Sequence, residues 1–469
     1  MMLINKNIQL PLPFHQLTAD IFAGAGGASG AMEEAFGRPV DIAINHNPVA
    51  LSVHERNSPL TRHICSDIWE VNPLVATGGR MLYALWASPD CRHFSKAKGK
   101  KPVSPKVRAL ADVVLDWAAK VKPVIIFLEN VEEFQTWGPL DSGNMPIKER
   151  KGEYFQRWVK ALRDMGYAVE WRELRACDYG TPTSRKRLFI VARRDGRPII
   201  WPEPTHGPGR LPYHTAAECI DFSIPCPSIF GRKKPLAENT MQRIAYGLKK
   251  FIIENQTPFI IPNNGSLSGV STLISARYGE KKGRPPRVPG GRKHALVTAF
   301  LTKYFTGATG SDLTDPMGTV TAIDHHALVC LFIKKMRGTN IGHTLDMPLK
   351  TISAGGTWAF LVKYFGSDKH GCGLNEPLHT ISTKDRFGLA AVRIEGEPYI
   401  ITDIGMRMLQ PKELFTAQGF PPDFVFEYGK YGEAITKTNQ IKLCGNSVCR
   451  HPAAALIRAN IRAETIRGR

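Results

Sequence analysis

LTADIFAGAGGASG, residues 17–30, reads as an apolar strand running directly into a glycine turn, and the AMEEAF that follows reads as a helix. The run from Leu17 to Phe22 suits a buried strand. Gly24, Gly26 and Gly27 let a ligand come against the backbone at the amino terminus of the helix, where a carboxylate or phosphate is favoured. Strand, glycine turn and helix in that order open an α/β fold. Ser29 stands where a dinucleotide fingerprint places its third glycine, so a nicotinamide or flavin is the poorer fit. A tight strand-to-helix turn that binds nothing is the alternative this stretch leaves open.

Outward from that turn the alternation of short apolar runs with amphipathic stretches continues to about residue 200, the pattern of a mostly parallel sheet covered by helices. Strands are expected at Leu17 to Phe22, Asp41 to Ile44, Met81 to Trp86, Val124 to Leu128, Val169 to Leu174 and Leu188 to Ala192. Helices are expected at Pro48 to Arg56, Lys106 to Lys120 and Glu153 to Met165. Pro202, Pro204, Pro208 and Pro212 mark a boundary. From about Phe259 the chain repeats at a period of roughly 30 residues. FLTKYF at Phe300 leads to DPMGTVTA, LFIKKM at Leu331 to MPLKTISA, and FLVKYF at Phe360 to EPLHTIST. Each copy reads as two short strands around a polar loop, so this region is expected to be a β-rich array suited to recognition. After Ile400 the α/β texture returns. The expected division is therefore 1–202, 203–400 and 401–469.

The chain has 469 residues, 43% of them hydrophobic, and 62 Lys+Arg against 42 Asp+Glu give a net charge of +20. That apolar fraction excludes a disordered chain, and no apolar run approaches the ~18 residues of a membrane span. The first residues lack the apolar helix of a signal peptide. Nine cysteines without a CxxC pair give neither a disulfide framework nor a zinc ribbon. A soluble, cytoplasmic monomer that needs no metal is the expectation. The positive charge is clustered: Lys96 to Arg108 and Lys281 to Lys293 each hold six basic residues and no acid. Ser184 to Arg197 holds six more against Asp195. Any one of these could be a solvated surface segment; three together favour a nucleic acid.

Chemistry-bearing residues fall at the strand ends. After Trp86 comes ASPDCRHFS, residues 87–95, and in an open α/β sheet that loop belongs to the ligand-binding edge. Arg92, His93 and the lysines beyond favour the thiolate of Cys91, the nucleophilic form. The strand VIIFL ends in Glu129-Asn130-Val131, where a carboxyl group in apolar surroundings is suited to donating a proton or hydrogen bond; taken alone, Glu129 reads as an ordinary strand-end residue. Asp67-Ile68 follows a third strand, where a carboxylate can accept from an adenine amino group; a lone surface Asp is the alternative.

In order along the chain, FAGAGG, PDC with RHFS, ENV, SRKR before a strand, RMLQPKELFTAQGFP and QIKLCGNSV resemble the blocks of the DNA cytosine-5 methyltransferases. The resemblance covers residues 17 to about 195 and 400 to 460. It implies a catalytic domain of the S-adenosylmethionine-dependent, Rossmann-like type, interrupted by a target-recognition region at the place of the repeats. It implies Cys91 as the nucleophile, Glu129 at N3 and the exocyclic amine of cytosine, Arg187 at O2, and Arg185 in support. Phe22, Gly24, Gly26, Gly27, Asn45, Asp67, Ile68, Asn446, Ser447 and Val448 would bind the cofactor. Double-stranded DNA would lie against Arg92, Lys96, Lys98, Lys100, Lys101, Lys281, Lys282, Arg284 and Arg287, with the target base flipped out. A restriction-modification or phage self-protection role follows, with a cognate endonuclease as functional partner. An RNA (tRNA) cytosine-5 methyltransferase, or a catalytically weak DNA-binding relative, are the alternatives. Three positions depart from the pattern: Asp90 precedes the nucleophile where most members have Pro, Asn45 replaces the ribose-binding acid, and Thr183 stands where Gln often precedes the arginines.

Overall fold

The computed structural model describes residues 16–89, 109–142, 145–230, 232–254, 260–263, 295–303, 310–323, 325–335, 360–363, 372–373, 387–389, 391–394 and 397–461. The chain divides into two compact units, one of residues 1–214, 319–323 and 414–469, the other of residues 215–318 and 324–413.

The first unit is built on a seven-stranded sheet in the order β3-β2-β1-β4-β5-β7-β6. Its strands are β1 Leu17–Ile21, β2 Ile42–Asn45, β3 Arg62–Cys65, β4 Leu82–Ala87, β5 Ile125–Asn130, β6 Ala168–Arg175 and β7 Lys186–Arg193. The first five run parallel, with Ile21 beside Ala87 and Ala87 beside Leu128, so their carboxyl ends share one edge. β7 runs antiparallel to both β5 and β6. That reversal carries the amino-terminal end of β7 to the same edge.

Helices cover the sheet: α1 Gly27–Phe36, α2 Pro48–Asn57, α3 Pro73–Thr77, α4 Asp112–Val121 and α5 Glu153–Asp164. α1 starts earlier than the sequence pattern suggests, because Gly26 takes the left-handed conformation at its amino cap (φ 105°) and the first turn begins at Gly27. α2 is capped by Asn47, whose side chain accepts from the Val49 and Ala50 amides. The core packs Ile21, Leu85, Val114, Trp117, Phe134, Phe155, Trp158 and Ile190 on one side of the sheet. On the other, Ala28, Ala31, Met32 and Ala35 of α1 meet Ala453, Ala454, Leu456 and Ile457.

In the second unit β8 Ile260–Asn263, β9 Ala295–Lys303, β10 His326–Lys335, β14 Ala391–Ile394 and β15 Glu397–Met408 form an antiparallel sheet in the order β14-β15-β10-β9-β8. β11 Phe360–Lys363, β12 Cys372–Gly373 and β13 Phe387–Leu389 form a smaller one. α6, Glu238–Leu248, packs on the larger sheet, and an added Cβ at Gly247 would stand 2.1 Å from the Phe300 ring. Only glycine allows that approach. Arg407 forms a two-pronged ion pair with Glu413 (2.7 and 2.9 Å) that also gathers the Asp221 backbone, inside this unit.

The repeat reading needs correction. FLTKYF and LFIKKM do begin on strands, β9 and β10, which pair with each other. The DPMGTVTA segment of the first copy forms no strand, and its last four residues, with Ile323, belong to the first unit. Its Thr321 backbone lies where a Cβ on Gly445 would fall, 2.1 Å away. The later MPLKTISA and EPLHTIST segments lie outside the described residues. α7 Pro411–Ala417, α8 Lys437–Asn446 and α9 Arg450–Asn460 close the chain.

Candidate active site

The residues expected to bind a cofactor come together from the ends of β1, β2 and β3 and the segment after α8. Phe22 leaves β1 with φ 98°, a conformation that costs a side-chain-bearing residue on the order of 1 to 3 kcal/mol. Its amide and that of Ala23 both donate to the Ile44 carbonyl (2.9 and 3.0 Å), which pins the turn to the end of β2. Gly24 also has positive φ, and the place of its missing Cβ is open, with no atom within 4 Å. Gly27 is closed: a Cβ there would stand 2.5 Å from the Val448 carbonyl oxygen. Glycine therefore lets the turn touch the 446–448 segment, and the structure brings these two sequence-distant blocks together.

The remaining predicted cofactor residues divide by how their side chains are engaged. Asn45 is half-buried and accepts from the Asn47 amide (2.8 Å). The Ser66 amide donates to the Asn45 carbonyl (3.2 Å), which sets Asp67 beside the end of β2. Asp67 is exposed and caps a 3-10 turn by accepting from the Trp69 amide (3.1 Å), while Ile68 is buried in the core. Asn446 is exposed. Ser447 is buried and its hydroxyl donates to the Leu443 carbonyl (2.7 Å), so its side chain closes the helix. Val448 packs against α1.

The second half sits at the ends of β5 and β7. Glu129 lies within β5, one residue before its end, and its side chain is 10% exposed. Alternation along a strand places Arg185 and Arg187 on one face and Lys186 on the other. Lys186 pairs outward with Glu132 and Glu173, both at 2.7 Å. Arg187 Nε stands 3.3 Å from Glu129 Oε1, and an Arg185 terminal nitrogen 4.0 Å from it. Both are close enough for charge attraction, yet Oε1 is buried without a hydrogen bond. A buried acceptor of that kind is expensive unless something completes it. Arg185 is fixed by donating to the Val320 and Gly445 carbonyls (2.9 and 3.0 Å).

Asn130 donates from its side-chain amide to the Pro89 carbonyl (3.2 Å), tying the end of β5 to the chain as it leaves β4 toward Cys91. Cys91, Arg92, Lys96, Lys98, Lys100, Lys101, Lys281, Lys282, Arg284 and Arg287 lie outside the described residues, as does Asp90. Asn130, Val320 and Cys449 have no role assigned from sequence, yet the structure places them among these groups. Cys449 is fully buried, its Sγ 2.7 Å from Gln418 Oε1, and burial pushes its thiol up to about 11 although Arg185 and Arg187 oppose the shift. It is an inert neighbour of the site.

The match that decides the family covers almost the whole chain: residues 17–462 fit the C-5 cytosine-specific DNA methylase model. The chain belongs to that family. Among its relatives, Type II methyltransferase M.SacI of Streptomyces achromogenes is 29% identical over 213 residues, 41% of this chain and 52% of the relative. Type II methyltransferase M.AquIA of Picosynechococcus sp. is 30% identical over 196 residues, 40% of this chain and 76% of the relative. Type II methylase M.HgiDII of Herpetosiphon aurantiacus is 30% identical over 211 residues, 43% of this chain and 52% of the relative. The aligned stretch thus spans about half the length of M.SacI and of M.HgiDII. Among the described residues, no helix is long and apolar enough to cross a membrane.

Proposed function

We propose that this methylase-family chain transfers a methyl group from S-adenosylmethionine to C5 of a cytosine flipped out of duplex DNA. The observation that carries the reading is the incomplete Glu129 carboxylate, buried beside Arg187 and Arg185 at the edge where the chain departs for Cys91. The open Gly24 face and the Gly27 approach to Val448 fit a nucleoside-bearing cofactor held by Phe22, Gly24, Gly26, Gly27, Asn45, Asp67, Ile68, Asn446, Ser447 and Val448. S-adenosylmethionine, when bound, supplies the electrophilic methyl group.

C5 of cytosine is a poor nucleophile, and addition at C6 is what activates it. The Cys91 thiolate bonds to C6 and the double-bond pair moves toward C5. Glu129 donates to N3 and accepts from the exocyclic amine, stabilising the ring as charge develops, and Arg187 donates to O2. Arg185 positions both by its bonds to Val320 and Gly445. C5 uses that electron pair for its new bond to the methyl group, and loss of the C5 proton then restores the double bond and releases the thiolate. C6 is out of reach inside a duplex, so the base leaves the stack, with the Lys96 to Arg108 segment against the backbone. Residues 203–400 read the target sequence, with Lys281, Lys282, Arg284 and Arg287 on phosphates. A restriction-modification or self-protection role fits the type II relatives.

A duplex carrying 5-fluorocytosine tests the chemistry, because fluorine cannot leave as a proton does. With S-adenosylmethionine present, a covalent protein-DNA adduct is expected, and Cys91→Ser should abolish both the adduct and methyl incorporation. Methylation that survives Cys91→Ser would overturn the mechanism.

A further inference from the structure

Behind the glycine turn lies a chain of polar side chains that the methyl-transfer chemistry does not use. Asp20, fully buried at the end of β1, accepts from the Ser29 hydroxyl at Oδ2 (2.7 Å), while its Oδ1 is buried without a hydrogen bond. Ser29 Oγ is 2.8 Å from His54 Nε2, and His54 Nδ1 is 2.7 Å from His63 Nε2. The four residues come from β1, α1, α2 and β3, the elements that shape the cofactor turn. The His54 ring also underlies the turn directly, since a Cβ on Gly26 would meet its Cδ2 at 3.3 Å.

A neutral imidazole carries one donor and one acceptor, so bonds along this chain must all point the same way. With Asp20 ionised, His63 donates to His54, His54 to Ser29, and Ser29 to the carboxylate. With Asp20 protonated, every bond reverses. Burial pushes the Asp20 carboxyl up to about 7 and the His54 imidazole down to about 3, so His54 is neutral and the extra proton belongs to the chain as a whole. His63, the outer and half-buried member, is held below its ordinary value by burial; Glu55 and the Thr61 backbone favour its charged form, and Lys430 opposes it. Glu55 and Lys430 pair with each other.

We propose that His54 and His63 are positioning residues that support the cofactor turn and move one proton to or from Asp20, so that the charge behind the turn sets the preference for cationic S-adenosylmethionine over S-adenosylhomocysteine. The inference rests on the reading of the turn as a cofactor site. One proton is taken up at His63 Nδ1, a buried nitrogen without a hydrogen bond of its own. The proton on His63 Nε2 passes to His54 Nδ1, that on His54 Nε2 to Ser29, and that of Ser29 to Asp20 Oδ2. The carboxylate becomes neutral, and one proton has been taken up. The reverse transfer restores the negative charge, which attracts a sulfonium and has little hold on the uncharged sulfur of the product.

Calorimetric titration of the two ligands between pH 5.5 and 8 tests this. The preference for S-adenosylmethionine should rise by about fivefold across that range in the native chain. It should stay flat in Asp20→Asn, which keeps the shape and removes the charge. In His63→Phe the rise should move to higher pH, because the carboxylate loses the donor chain that ends on it. Independently of any variant, nitrogen NMR of labelled histidines should find the His54 proton on Nδ1 at low pH and on Nε2 at high pH. Binding of both ligands with an unchanging preference, or a His54 tautomer fixed across the range, would overturn the relay. Failure of either ligand to bind at any pH would instead overturn the cofactor reading on which it rests.

Discussion

Asp20 and Glu129 end strands that flank β4 at the same edge of one sheet, both buried and each with one carboxylate oxygen lacking a hydrogen bond. Their surroundings differ in kind. Asp20 faces a hydroxyl and two imidazoles, groups that can share or reverse a proton. Glu129 faces two guanidiniums, which cannot give one up. The same residue chemistry at the same depth thus serves a variable charge at one strand end and a fixed electrostatic frame at the other. Strand direction produces the difference: parallel β1 and β2 lead into helices that supply Ser29 and His54, whereas antiparallel β7 delivers its arginines head-on to the end of β5.

The sharpest way to break the fixed frame is Arg185→Ala. It strips two buried carbonyls of their donor and leaves Glu129 with Arg187 alone, so a loss of about 3 to 5 kcal/mol in unfolding free energy is expected, measured by denaturant titration. A variant of native stability would refute the frame. Glu129→Gln keeps the volume but cannot pass a proton to N3. Methyl transfer should fall on the order of 10²- to 10³-fold with cofactor affinity retained, measured by tritiated methyl incorporation and calorimetry. Equal loss of both would move Glu129 out of the base pocket.

The smallest effect belongs to the variable charge. Because the folded-state pKa of Asp20 lies above the ordinary value of 3.8, at about 7, its contribution to stability is complete below about 4 and is lost as pH rises through about 7. Asp20→Asn, neutral at every pH, should therefore unfold at the same temperature as the native chain near pH 4. It should be more stable at pH 8.5, by on the order of 1 to 3 kcal/mol. A differential that ignores pH would place Asp20 outside the buried class.

Much of the first unit was readable from residues 17–202, because buried parallel strands announce themselves as apolar runs and glycines mark the turn. An apolar run has no arrow, however, so Leu188 to Ala192 gave no sign that β7 runs against β5, and the meeting of Arg187 with Glu129 came from resemblance rather than from spacing. His54 and His63 were invisible for another reason: each is a single histidine on an unremarkable element, and their alignment with Ser29 exists only after three strands have paired. The DPMGTVTA segment misled because β-branched residues in a short run suit a strand, whereas here Val320 and Thr321 give their backbone to Arg185 and Gly445.

That last contact bears on how such enzymes can be recombined. A chimera made by exchanging everything between residues 215 and 413 would carry away Thr319–Ile323 and, with it, one of the two carbonyl anchors of Arg185. The natural seams are therefore four rather than two, and a graft that respects them keeps a five-residue staple of the host inside the borrowed region.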